Sequence, residues 1–121
     1  MAKPKPKKKA AKPRKSRKAG SSKVPKDAVT LIVRLYPRDG QEMLLEAELR
    51  ALVGPTRKEE GCLIYDLYRS AEPPIAFKLR EVWASREHHM RHTNTPHFLR
   101  WNARKDALLA SRDATFWKQV L

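Results

Sequence analysis

A single cysteine, Cys62, stands in the 121 residues, so no intramolecular disulfide framework is available and a reducing compartment suits the chain. No apolar run approaches the roughly 18 residues that a membrane span needs. The N-terminus has no apolar h-region, so it does not read as a secretory signal. It is also a poor transit peptide, being rich in Lys and Pro and without an apolar face. These absences set the expectation of a cytoplasmic protein with no transmembrane segment.

Acid is missing altogether from residues 1–26, which carry twelve Lys and Arg and four prolines (Pro4, Pro6, Pro13, Pro25). Like-charge repulsion and proline oppose a compact state, so this stretch reads as a disordered basic tail. Aromatic residues are absent from it too, which excludes base stacking and sequence readout. What it can offer is non-specific contact with nucleic acid or an anionic surface through counterion release. Residues 27–121 hold fifteen basic and thirteen acidic residues, a net charge near +2. The high isoelectric point therefore describes the tail, and the remainder reads as one small domain.

Within 27–121, Val29 to Tyr36 alternates as a strand, with Val29, Leu31, Val33 and Leu35 on one face. From Gln41 the period becomes helical, with Leu45, Leu49 and Leu52 on one stripe, and Gly54-Pro55 is expected to end that helix. Cys62–Arg69 and Ile75–Trp83 read as two further strands joined by a hairpin loop. Ser85 is a candidate N-cap for a helix to His92 or Thr93, and Thr95-Pro96 starts another. Phe116–Leu121 is expected to close the sheet. This β-α-β-β-α-α-β order predicts an α+β, ferredoxin-like split βαβ fold with helices on one face. Strands apolar on both sides suggest two subunits packed sheet to sheet.

Residues suited to chemistry gather between Phe77 and Phe98, which contains all four histidines, Trp83 and Glu81. Glu60-Gly61-Cys62-Leu63-Ile64-Tyr65-Asp66-Leu67, Glu81-Val82-Trp83, His92 and Thr95-Pro96-His97-Phe98, in that order and spacing, resemble the antibiotic biosynthesis monooxygenase family over residues 28–110. The resemblance implies a homodimeric α+β barrel and a monooxygenase that works without metal or flavin on a quinol- or anthrone-like aromatic and O2. Haem-degrading relatives use an asparagine on the first strand, which VTLIVRLY lacks.

On this reading the catalytic candidates are His92, Trp83 and Glu81, with His97, Tyr65 and Phe98 binding substrate. Imidazole, with an ordinary pKa of ~6.5, suits proton removal. Trp83 offers an aromatic wall and an N–H to an anion, and Glu81 can orient a histidine, stay protonated, or pair with Arg80 or Arg34. His88 and His89 read as surface residues, and the histidine spacing argues against a metal. The family also includes an isomerase of a phosphorylated sugar with a similar His92–Phe98 segment. A proton-shuttling enzyme on a small phosphorylated carbonyl compound is therefore the alternative, and a non-catalytic module tethered by its tail is a third.

Overall fold

The computed structural model describes residues 25–121, so the tail expected over residues 1–26 lies outside it except for Pro25 and Lys26. Strand β1 (Val29–Pro37) is the hub of the sheet, because its alternating side chains give one face wholly to the core. Leu31, Val33 and Leu35 are buried there, while Arg34 and Tyr36 on the other face are exposed. Helix α1 (Glu42–Arg57) follows, then strands β2 (Cys62–Arg69) and β3 (Phe77–Trp83), helices α2 (Arg86–His92) and α3 (Pro96–Leu108), and strand β4 (Leu109–Trp117).

The sheet order is β2-β3-β1-β4, with every neighbouring pair antiparallel. This is the expected ferredoxin-like α+β arrangement. Leu45, Leu49 and Leu52 of α1 pack onto Leu31, Val33, Leu35, Leu79 and Trp83 of the sheet, joined by Trp101 and Leu108 of α3. Leu45 and Leu49 are fully enclosed, so truncating either to Ala removes about 2–5 kcal/mol.

Three boundaries differ from the sequence reading, each for a tertiary reason. Helix α1 does not stop at Gly54-Pro55 but runs on through Pro55 to Arg57. Its last turn is held by burial of Thr56 and by Arg57, which donates to the Tyr65 carbonyl and to Asp66, both at 3.0 Å. Strand β3 begins at Phe77 rather than Ile75. Ser70 closes the preceding loop, its hydroxyl accepting from Ala76 N–H and donating to the Pro74 carbonyl. Strand β4 begins at Leu109 and ends at Trp117, not Phe116–Leu121. Its residues after Leu109 are exposed on both faces, so no alternation marked it, and its pairing with β1 defines it instead.

Both cap assignments hold. Ser85 Oγ accepts from His88 N–H and Thr95 Oγ1 accepts from Phe98 N–H, with Pro96 at the first helical position. The turn into β2 depends on Gly61, whose φ of +82° suits glycine and whose missing Cβ makes room for the His88 ring. A Cβ there would lie 2.3 Å from that ring. Gly61→Ala is expected to lower stability by about 2–4 kcal/mol in urea unfolding, and His88→Ala in the same chain to recover only the ring's share of the clash, since the residue-88 Cβ stays 2.7 Å away. Equal costs of Gly61→Ala with and without His88 would refute the contact.

Candidate active site

The turn between α2 and α3 sets the histidines. The His92 carbonyl accepts from Thr95 N–H at 3.2 Å and from Thr95 Oγ1 at 2.8 Å, which ties the end of one helix to the cap of the next. His92 and His97 thereby face a common point. That point is Glu59, on the turn between α1 and β2. One carboxylate oxygen, Oε2, accepts from His92 Nδ1 at 2.7 Å and from His97 Nε2 at 2.6 Å. A carboxylate only accepts, so each imidazole presents an N–H to it, and His92 Nε2 and His97 Nδ1 have no hydrogen bond among the described residues.

His92 is 1% exposed, whereas Glu59 and His97 are about 13% and 15% exposed. Aromatic rings enclose the His92 imidazole. Trp83 lies 4.8 Å away between centroids, Phe98 5.0 Å and Tyr65 5.7 Å. All six residues singled out from sequence (His92, Trp83, Glu81, His97, Tyr65 and Phe98) therefore belong to one cluster. Three of the uses considered for them do not match the geometry. Trp83 Nε1 donates to Glu81 Oε1 at 2.9 Å, so the indole N–H is already engaged. Glu81 orients Trp83 rather than a histidine, and it pairs with neither Arg80, which lies by Asp66, nor Arg34, which lies by Asp113.

Burial pushes the Glu81 carboxyl upward, with the Trp83 N–H and His92 opposing it. Burial also raises Tyr65 well above the usual phenol range, with Glu81 adding to the effect. Cys62 is raised in the same way and packs against the core as a small apolar residue. His89 is not a surface residue: it packs edge-on against Trp83 and Phe116. The second unmatched histidine, His88, bonds Ser85 through Nδ1 at 2.8 Å.

Glu59 was missed by sequence reasoning, which gave it no role. The available signal was its place immediately before the family-like segment, two residues ahead of an obligatory glycine. A separate groove of about 370 Å³ runs between α1 and β2, lined by Glu46, Arg50, Val53, Arg57, Leu67, Arg69 and Phe77. None of the histidines lines it, and its arginines are paired with Glu46 or Asp66.

The sequence profile of the antibiotic biosynthesis monooxygenases matches residues 28–104, which spans every residue of this cluster. The chain belongs to that family. It is 40% identical over 81 residues to a Mycobacterium tuberculosis protein named "Putative monooxygenase Rv0793", a match covering 67% of this chain and 79% of that one. The solved structure of Rv0793 superposes with a TM-score of 0.74 at 35% identity, covering 78% of this chain and 96% of that one. PA3566 from Pseudomonas aeruginosa gives a TM-score of 0.76 at 37% identity, covering 78% and 96%. No described helix is long and apolar enough to cross a membrane.

His89 gives the family-fold domain an acid-sensitive element. Burial first, then His92 and Arg86, depress its pKa from 6.5 to about 4, with Glu59 opposing. Between those values the unfolded chain binds the proton and the folded chain does not. Its contribution is therefore complete above pH 6.5 and is lost as pH falls toward 4. Allowing for partial exposure, we expect a loss on the order of 1–2 kcal/mol, read as Tm against pH, that His89→Gln removes. An identical pH slope in the variant would contradict it.

Proposed function

We propose that this protein is a cofactor-independent monooxygenase of a quinol- or anthrone-like aromatic, acting as a cytoplasmic homodimer. The observation that carries the reading is the imidazole of His92, held by Glu59 and walled by Trp83, Phe98 and Tyr65, in a chain of this family. Oxygenation without a cofactor needs a substrate that itself gives electrons to O2, which such aromatics do once deprotonated. The protein's part is to take the proton and to hold the resulting anion in a dry, aromatic site.

His92 is the base in this scheme. Its Nδ1–H is fixed on Glu59, which leaves the Nε2 lone pair to receive the substrate proton, and Glu59 then stabilises the imidazolium. His97 shares the same carboxylate and, being more exposed, binds the polar edge of the substrate or passes the proton outward. Trp83, locked by Glu81, Phe98 and Tyr65 supply flat apolar walls. For an anthrone the reaction balances as CH2 plus O2 giving C=O plus water, with the substrate supplying all the electrons.

The homodimer fits the outer sheet face, where Ile32, Ile64, Val82 and Trp117 lie near one another across four strands. Residues 1–26 supply non-specific contact with nucleic acid or anionic surfaces, outside the catalytic cycle. The arginine groove gives no support to a phosphorylated substrate at the histidines, since it opens elsewhere and its cations are paired.

Oxygen uptake by metal-stripped protein with reduced naphthoquinols and anthrones is expected to exceed autoxidation. His92→Ala should lose about 10²–10⁴-fold of that rate, and Glu59→Gln roughly 10–100-fold, with the fold intact by circular dichroism. A folded dimer with no uptake on the whole panel, or with full uptake in His92→Ala, would overturn the proposal.

A further inference from the structure

The Glu59–His92–His97 cluster holds a second capacity. Three ligand atoms, two imidazole nitrogens and one carboxylate oxygen, lie within 4.8 Å of one another. Spacing along the chain concealed this, because His92 and His97 sit on different helices and the carboxylate is more than thirty residues away. We propose that these residues form a binding site for one divalent first-row transition-metal ion of the Zn2+, Co2+ or Ni2+ type. Occupancy by the ion and use of His92 as a base exclude each other. The binding claim stands on the geometry alone; the exclusion rests on the oxygenase reading above.

The donor set is the one that such ions take from proteins, two neutral imidazoles and a carboxylate, with remaining positions left for water. Both nitrogens already aim at one point, the position of Glu59 Oε2, at 2.7 and 2.6 Å. A metal near that point needs Zn–N distances of roughly 2.0–2.1 Å and ligand atoms roughly 3.3 Å apart. Each N···O gap must therefore open by about 0.6 Å while the carboxylate draws back. Glu59 and His97 reach solvent and stand on a turn and a first helical turn, so they are the movable partners. His92, enclosed by aromatic rings, is the fixed one. The acid-free segment 1–26 has no His or Cys either, so it supplies no competing site for such ions.

The exclusion follows from the tautomer. In the metal-free arrangement the His92 proton sits on Nδ1 and Nε2 is the open acceptor. A metal bound to Nδ1 takes that lone pair, and the neutral ring must carry its proton on Nε2 instead. No proton is lost, but the base nitrogen becomes a donor. His97 makes the reverse exchange, from Nε2–H to Nδ1–H.

The test titrates Zn2+ by calorimetry, and Co2+ by visible absorption, into the chelator-stripped full-length protein. Binding of one ion per chain is expected, with partial quenching of tryptophan emission by Co2+, Trp83 of the three tryptophans lying against His92. Glu59→Gln and His97→Ala should each weaken binding by roughly tenfold or more, while His88→Gln with His89→Gln leaves it nearly unchanged. Should either variant misfold, 15N spectra of the wild type decide. Zn2+ must shift His92 Nδ1 and His97 Nε2 and move the His92 proton to Nε2. No binding at millimolar Zn2+, binding that survives both ligand variants, or unmoved His92 and His97 nitrogens would overturn the site. With a quinol that turns over, activity should fall in step with Zn2+ occupancy. Full activity at saturating Zn2+ would overturn the exclusion and the assignment of His92 as base, while leaving the ion site standing.

Discussion

One carboxylate oxygen holds the site together. Glu59 Oε2 receives an N–H from His92 and another from His97, and without it two imidazoles on separate helices have no common reference. Charge-assisted hydrogen bonds of this length are directional, so they fix ring orientation as well as position. The orientation matters because it decides which nitrogen is left to act. The chain on both sides of Glu59 serves its placement: before it the run of α1 through Pro55 and the Arg57 anchor on β2, after it the positive-φ turn at Gly61 against which the His88 ring packs.

The second carboxylate, Glu81, has the opposite surroundings and a different task. It is enclosed within the sheet's core face, is pushed upward by burial, and spends its hydrogen bond on Trp83. Environments that differ this much give like groups unlike roles. Glu59, at the rim, is partly open to solvent and spends its carboxylate on the two histidines. Glu81 holds the Trp83 indole beside His92, tilted 36° to it, and a ring held at 4.8 Å restricts how His92 can turn. The aromatic enclosure also keeps water away, which strengthens every electrostatic contact inside it.

Much of this was legible in the sequence. Alternation in Val29–Tyr36 and the Leu45/Leu49/Leu52 stripe gave the core faces, and Ser85 and Thr95-Pro96 marked the helix starts through side-chain chemistry that acts within four residues. The failures share a cause. Pro55 and the start of β4 were decided by contacts outside the element itself, with β2 eight residues further on in one case and with the far β1 in the other, which overrode local propensity. Glu59 was marked only by its place before the family-like segment, because its hydrogen-bond partners lie 33 and 38 residues away. Likewise the Trp83 N–H was available on paper and engaged in space, since i, i+2 neighbours on one strand face are close enough to bond.

The most direct test of the account is the protonation pattern of the two rings, read from two-dimensional 15N–1H spectra of the metal-free protein at mildly alkaline pH. The account predicts His92 with its proton on Nδ1 and His97 with its proton on Nε2, both patterns lost in Glu59→Gln. A His92 ring protonated on Nε2 would leave no base where the mechanism needs one, and would contradict it.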